Sequence, residues 1–198
     1  MKKILSLLTL SIMLLTSAVA FAASEETITE GADIIGIKRL AVAMPMHYKI
    51  APDEPNLEEF IESIYVAGGK SRCYILSYRE MATNIRKSTG IDINALDENK
   101  AQKVYKENVG KFADAYLVVT TANNLSITQF FFEVYNAKDH SLMYLLTIQS
   151  RSYGKYAEDY EKACEEFYKT FDAAAERSLK EAAEKEKQEQ KKNRKKKK

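Results

Sequence analysis

A chain of 198 residues with 45% apolar side chains has material for one domain with a buried core and some peripheral segments. Its formal net charge of +2 is unevenly placed: residues 191–198 carry seven cations, while residues 24–190 hold twenty-eight acidic against twenty-one basic side chains. An acidic body of this kind argues against nucleic acid as a partner, which would call for a broad basic face.

The chain opens like a secretory leader. Lys2 and Lys3 give a positive start, Ile4 to Leu15 is an apolar run broken only by small hydroxyl residues, and small residues follow from Ser17 to Ala23. Ala18-Val19-Ala20 and Ala20-Phe21-Ala22 both satisfy the small-x-small rule, which predicts cleavage near Ala20 or Ala22. The run is too short to anchor the chain across a hydrocarbon core of roughly 30 Å. No cysteine stands near the cleavage region, so the lipoprotein route is closed. Residues 1–23 are expected to be a signal peptide, and the mature chain a periplasmic or secreted protein with no membrane span after cleavage.

Residues 24–36 are polar and acidic at first and read as a loose lead-in. Lys38 to Met44 alternates and then turns wholly apolar, as a strand covered on both faces would. Pro45, Pro52 and Pro55 punctuate a loop that ends at Asn56, which with Glu59 forms a capping-box pattern. Leu57, Phe60, Ile61, Ile64 and Tyr65 then recur at helical spacing, and Gly68-Gly69 closes that helix. Cys73 to Tyr78 is the second strand. A short helix over Arg79 to Lys87 turns Met81 and Ile85 inward and stops at Gly90. Asp97 caps another helix that buries Ala101, Val104, Tyr105 and Val109.

Phe112 to Ser150 holds three apolar runs separated by Asn123-Asn124 and by Lys138-Asp139-His140, the pattern of an antiparallel meander. In its middle strand Phe130, Phe132 and Val134 share one face; Ile127, Phe131 and Tyr135 share the other with Gln129 and Glu133. From Tyr156 a helical stripe runs through Tyr160, Cys164, Phe167, Phe171 and Ala174 or Ala175. Beyond Leu179 it fades into a charged extension supported by Glu176–Lys180 and Glu181–Lys185, which should fray in the lysine run. The element order predicts an α/β fold bordering on α+β. Crossover handedness gives a five-stranded mixed sheet of order 2-1-3-4-5 with helices on both faces. Residues 37–178 form the single domain, and residues 179–198 a helical extension with a Lys-rich tail.

KRLAVAM, CYILSYREM and VGKFADAYLVV, in this order before a hairpin, resemble the small periplasmic α/β domains of bacterial envelope proteins. Those of the curli secretion lipoprotein and the amino-terminal domain of the TolB translocation protein are the nearest likenesses. In both, an arginine opens the helix after the second strand, matched by Tyr78-Arg79. A glycine and an Ala-Asp pair precede the third strand, matched by Gly110 and Ala113-Asp114. The resemblance covers residues 37–150 and implies a fold and an envelope setting. This chain has no lipoprotein cysteine, membrane-crossing hairpins or following propeller, so neither pore formation nor the family's partners are implied.

Catalytic patterns are sparse. Gly69-Lys70-Ser71 looks like the end of a phosphate-binding loop, but Ile64 stands where that loop needs glycine. His47 has Asp53 and Glu54 nearby without a zinc-ligand spacing, and a solvated loop is the plainer reading. His140 falls in a hairpin tip, and neither cysteine has a histidine nearby. The chain is expected to be a non-enzyme without cofactor or metal. Export leaves Cys73 and Cys164 open to two readings, a disulfide or two small packing residues. Twelve tyrosines can edge a core or anchor a binding surface. Lys191, Lys192, Arg194, Lys195, Lys196, Lys197 and Lys198 form a run suited to anionic polymers or lipid headgroups. The expected function is an exported envelope module acting through a protein partner or assembly. Polyanion binding through the tail is the alternative, and an unrecognised hydrolase the third.

Overall fold

The computed structural model describes residues 24–124, 126–151 and 156–196, so the expected signal peptide lies outside the described residues. Along the chain run β1 (Glu25–Ile28), β2 (Arg39–Val42), β3 (Met46–His47), α1 (Leu57–Ala67) and β4 (Tyr74–Leu76). They are followed by α2 (Tyr78–Thr89), α3 (Glu98–Val109), β5 (Ala115–Asn123), β6 (Thr128–Asn136), β7 (Leu142–Ser150) and α4 (Tyr156–Lys196).

The three short helices start on side-chain caps, which satisfy first-turn N–H groups that have no partner inside the helix. Asn56 Oδ1 accepts from the Glu59 N–H at 3.0 Å while Glu59 accepts from the Asn56 N–H at 2.7 Å, a complete capping box. Ser77 and Asp97 cap α2 and α3. Gly90 ends α2 with φ +77°, a left-handed conformation in which a side chain would be strained.

The sheet has seven strands in the order β1-β7-β6-β5-β2-β4, with β3 beside β5. The five-strand order 2-1-3-4-5 is therefore corrected by two strands. The first comes from the lead-in, which is not loose: β1 pairs antiparallel with β7, Glu25 opposite Thr147 and Ile28 opposite Tyr144. The Arg72 guanidinium holds the turn that follows by donating to the carbonyls of Ile34, Ile35 and Ile37. The second comes from the Pro-rich loop. Val42 lies opposite Leu117 and Met46 opposite Thr120, so β3 continues the line of β2 after a bulge that sets Ala43, Met44 and Pro45 against two residues of β5. β2 itself lies between β4 and β5, parallel to both, with Leu40 facing Ile75 and Ala115.

One sheet face is closed by α1 and α4. Phe60 and Ile64 of α1 and Tyr160, Cys164, Phe167 and Phe171 of α4 pack on Leu40, Leu117, Phe130, Phe132, Tyr144 and Leu146. Phe132 stacks on Phe167 at 4.8 Å between centroids. Gly68, just past α1, lies so close to the Tyr168 ring that a Cβ there would sit 2.9 Å from Cζ.

The other face departs from expectation. Met81 and Ile85 of α2 and Tyr105 and Val109 of α3 cover Ala41, Leu76 and Tyr116. This cluster reaches Ala137, Val118 and Tyr135 at its margin, because both helices belong to the β4-to-β5 crossover and lie over the strands they connect. Among the described residues, helices cover that face over its parallel half and none lies over most of its meander half.

Candidate interaction surface

On the open half the pleat turns every second residue outward, and register lines them up in rows. Val118, Glu133, Leu145 and Thr27 stand side by side across β5, β6, β7 and β1. Next come Thr120, Phe131, Thr147 and Glu25, and then Ala122, Gln129 and Gln149. Val118, Thr120, Phe131, Glu133, Leu145, Thr147, Gln129 and Gln149 are all half-buried; Val118 packs at the margin of the second core cluster, and among the described residues no helix covers the others. Phe131 and Leu145 belong to neither core cluster, whereas Phe130 and Phe132 beside them are fully buried in the first. Mixed apolar and polar groups on a rigid, flat support can hold a protein surface; they hold no titratable constellation for chemistry.

A ladder of aromatic rings bounds this face. Tyr78 stacks on Tyr105, Tyr105 meets Tyr116 edge-on, and Tyr116 stacks on Tyr135 at 5.4 Å, with His140 edge-on to Tyr116. Burial and the neighbouring Glu133 carboxylate push Tyr135 up to about 12, so its hydroxyl stays protonated and able to donate. His140 stands at φ +60° in the hairpin tip.

The titratable groups that the sequence singled out lie elsewhere. His47 is not in a solvated loop: it sits half-buried on β3, between Phe60 and Tyr160 at 5.2 and 5.5 Å. Tyr160 donates to Glu54 at 2.8 Å, so His47 Nε2, 3.2 Å away, is the donor to the same hydroxyl. Glu54 is 2% exposed and also accepts the N–H groups of Ile50 and Ala51. Burial pushes its carboxyl up, and the hydrogen bonds from Ala51, Ile50, Tyr160 and Asn123 outweigh that and hold it below its ordinary value. Burial lowers His47, against the pull of Glu54. This network fixes the Pro-rich loop to α4, and Asp53 takes no part in it.

Cys73 and Cys164 are free thiols, both buried in the first core cluster, and Cys73 donates to the Ile37 carbonyl at 3.3 Å. Burial pushes both thiols up, so neither is a ready nucleophile. Gly68–Lys70 is a single 3-10 turn that leads into β4. The Ala-Asp pair acts through Asp114, which accepts the N–H groups of Lys38 and Arg39 at 2.9 Å and so sets where β2 begins. Arg79 ties the start of α2 to Glu58 at the start of α1. Asp114, Asp33 and Asp139 line an open crevice of about 490 Å³ at the β6–β7 hairpin, each already accepting backbone N–H groups.

The tail also differs from expectation. α4 continues through Lys196 instead of fraying at the lysines, so Lys191, Lys192, Arg194, Lys195 and Lys196 are helical, while Lys197 and Lys198 lie outside the described residues. Its last core residue is Ala175. From there twenty-one residues run on as an arm about 31 Å long at 1.5 Å per residue. Cations at a helix C-terminus complement its dipole, which is why the run can stay helical. Among the described residues no helix is long and apolar enough to cross a membrane.

No family model matches the chain, and no curated protein matches it. Among solved structures it is similar to the PelC dodecamer of Paraburkholderia phytofirmans, at 9% identity and a TM-score of 0.44 over 76% of this chain and 97% of that one. It is similar to the LpoB C-terminal domain of Escherichia coli at 14% identity and a TM-score of 0.44, covering 61% and 88%. Lipoprotein GNA1162 of Neisseria meningitidis follows at 11% and 0.37, covering 57% and 79%.

Proposed function

We propose that the chain is an exported, non-enzymatic envelope protein whose α/β domain docks a protein partner on the open face of its meander. Residues 1–23 are the signal peptide in this reading, cleaved near Ala20 or Ala22, and the mature chain works in the periplasm or outside the cell. The observation that carries it is the half-buried face around Phe131, Leu145 and Thr147, over which no helix of the described residues lies. Supporting it, His47, Tyr160 and Glu54 are tied to one another inside the fold. Photo-reactive residues placed at Phe131 and Leu145, and at Glu62 on α1 as control, test it in intact cells. A discrete adduct from the two face positions and none from Glu62 is expected. Identical patterns from all three, or no adduct at all, would remove the reading.

A second reading rests on the helical arm. In sequence it leads into Lys191, Lys192 and Arg194 to Lys198, a dense cationic run that suits phosphate-bearing lipid headgroups or envelope polymers. Deletion of residues 191–198 should then abolish cosedimentation with vesicles rich in anionic lipid, and raised salt should weaken the intact chain. Equal binding by the two chains would dismiss it.

A further inference from the structure

We infer that α4 meets an anionic lipid surface end-on, with residues 191–198 at the headgroups and residues 176–190 holding the α/β domain away from them. This rests on the second reading of the function and gives that contact a geometry. Charge along the helix axis comes first. Residues 191–198 hold seven cations and no acidic side chain. Residues 176–190 hold five glutamates against four cations, and residues 24–175 hold twenty-three acidic against seventeen basic side chains. The attraction to a phosphate-rich surface is therefore confined to the end of the chain, and the body is repelled by it. Six of those seven cations are lysines, which act as point charges and suit a fluid array of headgroups better than one fixed bidentate site.

The helix is also unsuited to lying in the surface. An interfacial helix buries an apolar side and flanks it with cations. Here the two are opposed: at 3.6 residues per turn, Leu179, Ala182 and Ala183 fall on one half of the helix, and Arg177, Lys180, Lys185 and Lys187 on the other. Glu186 lies among the apolar residues, and beyond Ala183 the chain has no apolar side chain to bury. Laid on its apolar side, the helix would bring a carboxylate to the phosphates; laid on its basic side, it would turn Leu179 to water.

The arm can stand without support. Residues 179–188 are exposed at every position, so the helix there leans on nothing else in the fold. Glu176–Lys180 and Glu181–Lys185 stand at the spacing that supports an isolated helix, and there is no proline or glycine between Tyr156 and Lys196 to bend it. Fifteen residues from Glu176 to Gln190 span about 22 Å at 1.5 Å per residue. Charges in physiological salt are screened over about 8 Å. The acidic body is thus held beyond the reach of the repulsion, and the basic end binds unopposed.

Quenching on vesicles of phosphatidylglycerol and phosphatidylcholine tests this, using the signal-less full chain and a nitroxide carried on the lipid headgroup. A dye is attached in turn to Leu179→Cys, Gln188→Cys and Asn193→Cys; Cys73 and Cys164 are buried away from it. All three positions lie outside the closed core, and circular dichroism confirms that each variant folds. The dye at 193 should be quenched at least fivefold more than the dye at 179, with 188 between them, and raised salt should release all three. Equal quenching at 179 and 193 would show a helix lying flat; the inference then falls and the lipid reading stands. Equal binding to vesicles of phosphatidylcholine alone would overturn the electrostatic end-on contact. Binding to soluble polyphosphate with none to vesicles would leave only a polymer as partner and overturn the inference; binding to neither removes the second reading with it.

Discussion

Two tyrosine hydroxyls show how differently one group can contribute. The Tyr105 hydroxyl is fully buried with no hydrogen-bond partner, so removing it relieves a desolvated group and takes nothing away. Tyr105→Phe should leave stability unchanged or raise it by up to about 1 kcal/mol in urea unfolding. Tyr160→Phe should cost about 1–3 kcal/mol, because it leaves a buried Glu54 short of a donor and His47 short of an acceptor. Acid should find the same network. His47 lies below its ordinary 6.5 when folded, so the folded state favours the neutral ring. Its contribution is full above 6.5 and is lost as pH falls through the lower folded value. Glu54, held below 4.5, contributes above that pH and is lost at lower pH still. Unfolding free energy should therefore fall in two stages as pH drops from 7.5 to 3. His47→Gln should flatten the first stage and leave the second, and an unchanged profile would exclude this assignment.

At the scale of elements, the sequence disclosed what periodicity and caps can encode. The Asn56–Glu59 box, the Gly90 stop and the two faces of β6 each have a local pattern, and the structure has all three. It did not disclose β1, because Glu25, Glu26 and Thr27 lie exposed at a sheet edge, where no apolar alternation is required. β3 was hidden by Pro45 at the bulge, which makes a continued strand read as loop. Nor could His47 be placed, since its partners Phe60 and Tyr160 are distant in sequence. The lead-in depends on one residue that periodicity does not mark. Arg72 donates to three of its carbonyls, lies over the Phe171 ring and pairs with Asp172. Arg72→Met keeps the stem and loses the fork, so amide exchange at Ile34 to Ile37 should rise at least tenfold while β6 stays protected. Uniform loss of protection would show a global role instead.

Across the whole molecule, the distribution of helices decides what the surface is for. Among the described residues four α-helices serve two sheet faces, and the connection lengths place two on the parallel half of one face and two across the other. The sequence shows the polarity of each strand, yet it does not show which stretch of a face a crossover helix will reach. That is why the open half of the meander, the candidate site itself, was written in the residues and still unreadable as a site. Adjacent residues on one strand separate folding from docking. Phe132 is fully buried and stacked on Phe167, so Phe132→Ala should cost about 3–5 kcal/mol. Phe131 points the other way, half-buried and outside both cores, so Phe131→Ala should cost about 1 kcal/mol or less and leave the fold intact. If the face docks a protein, the inexpensive substitution is the one that ends complex formation in a pull-down from intact cells. Equal stability losses at the two positions would mean that the face is closed by something within the chain, and that Phe131 belongs to the core.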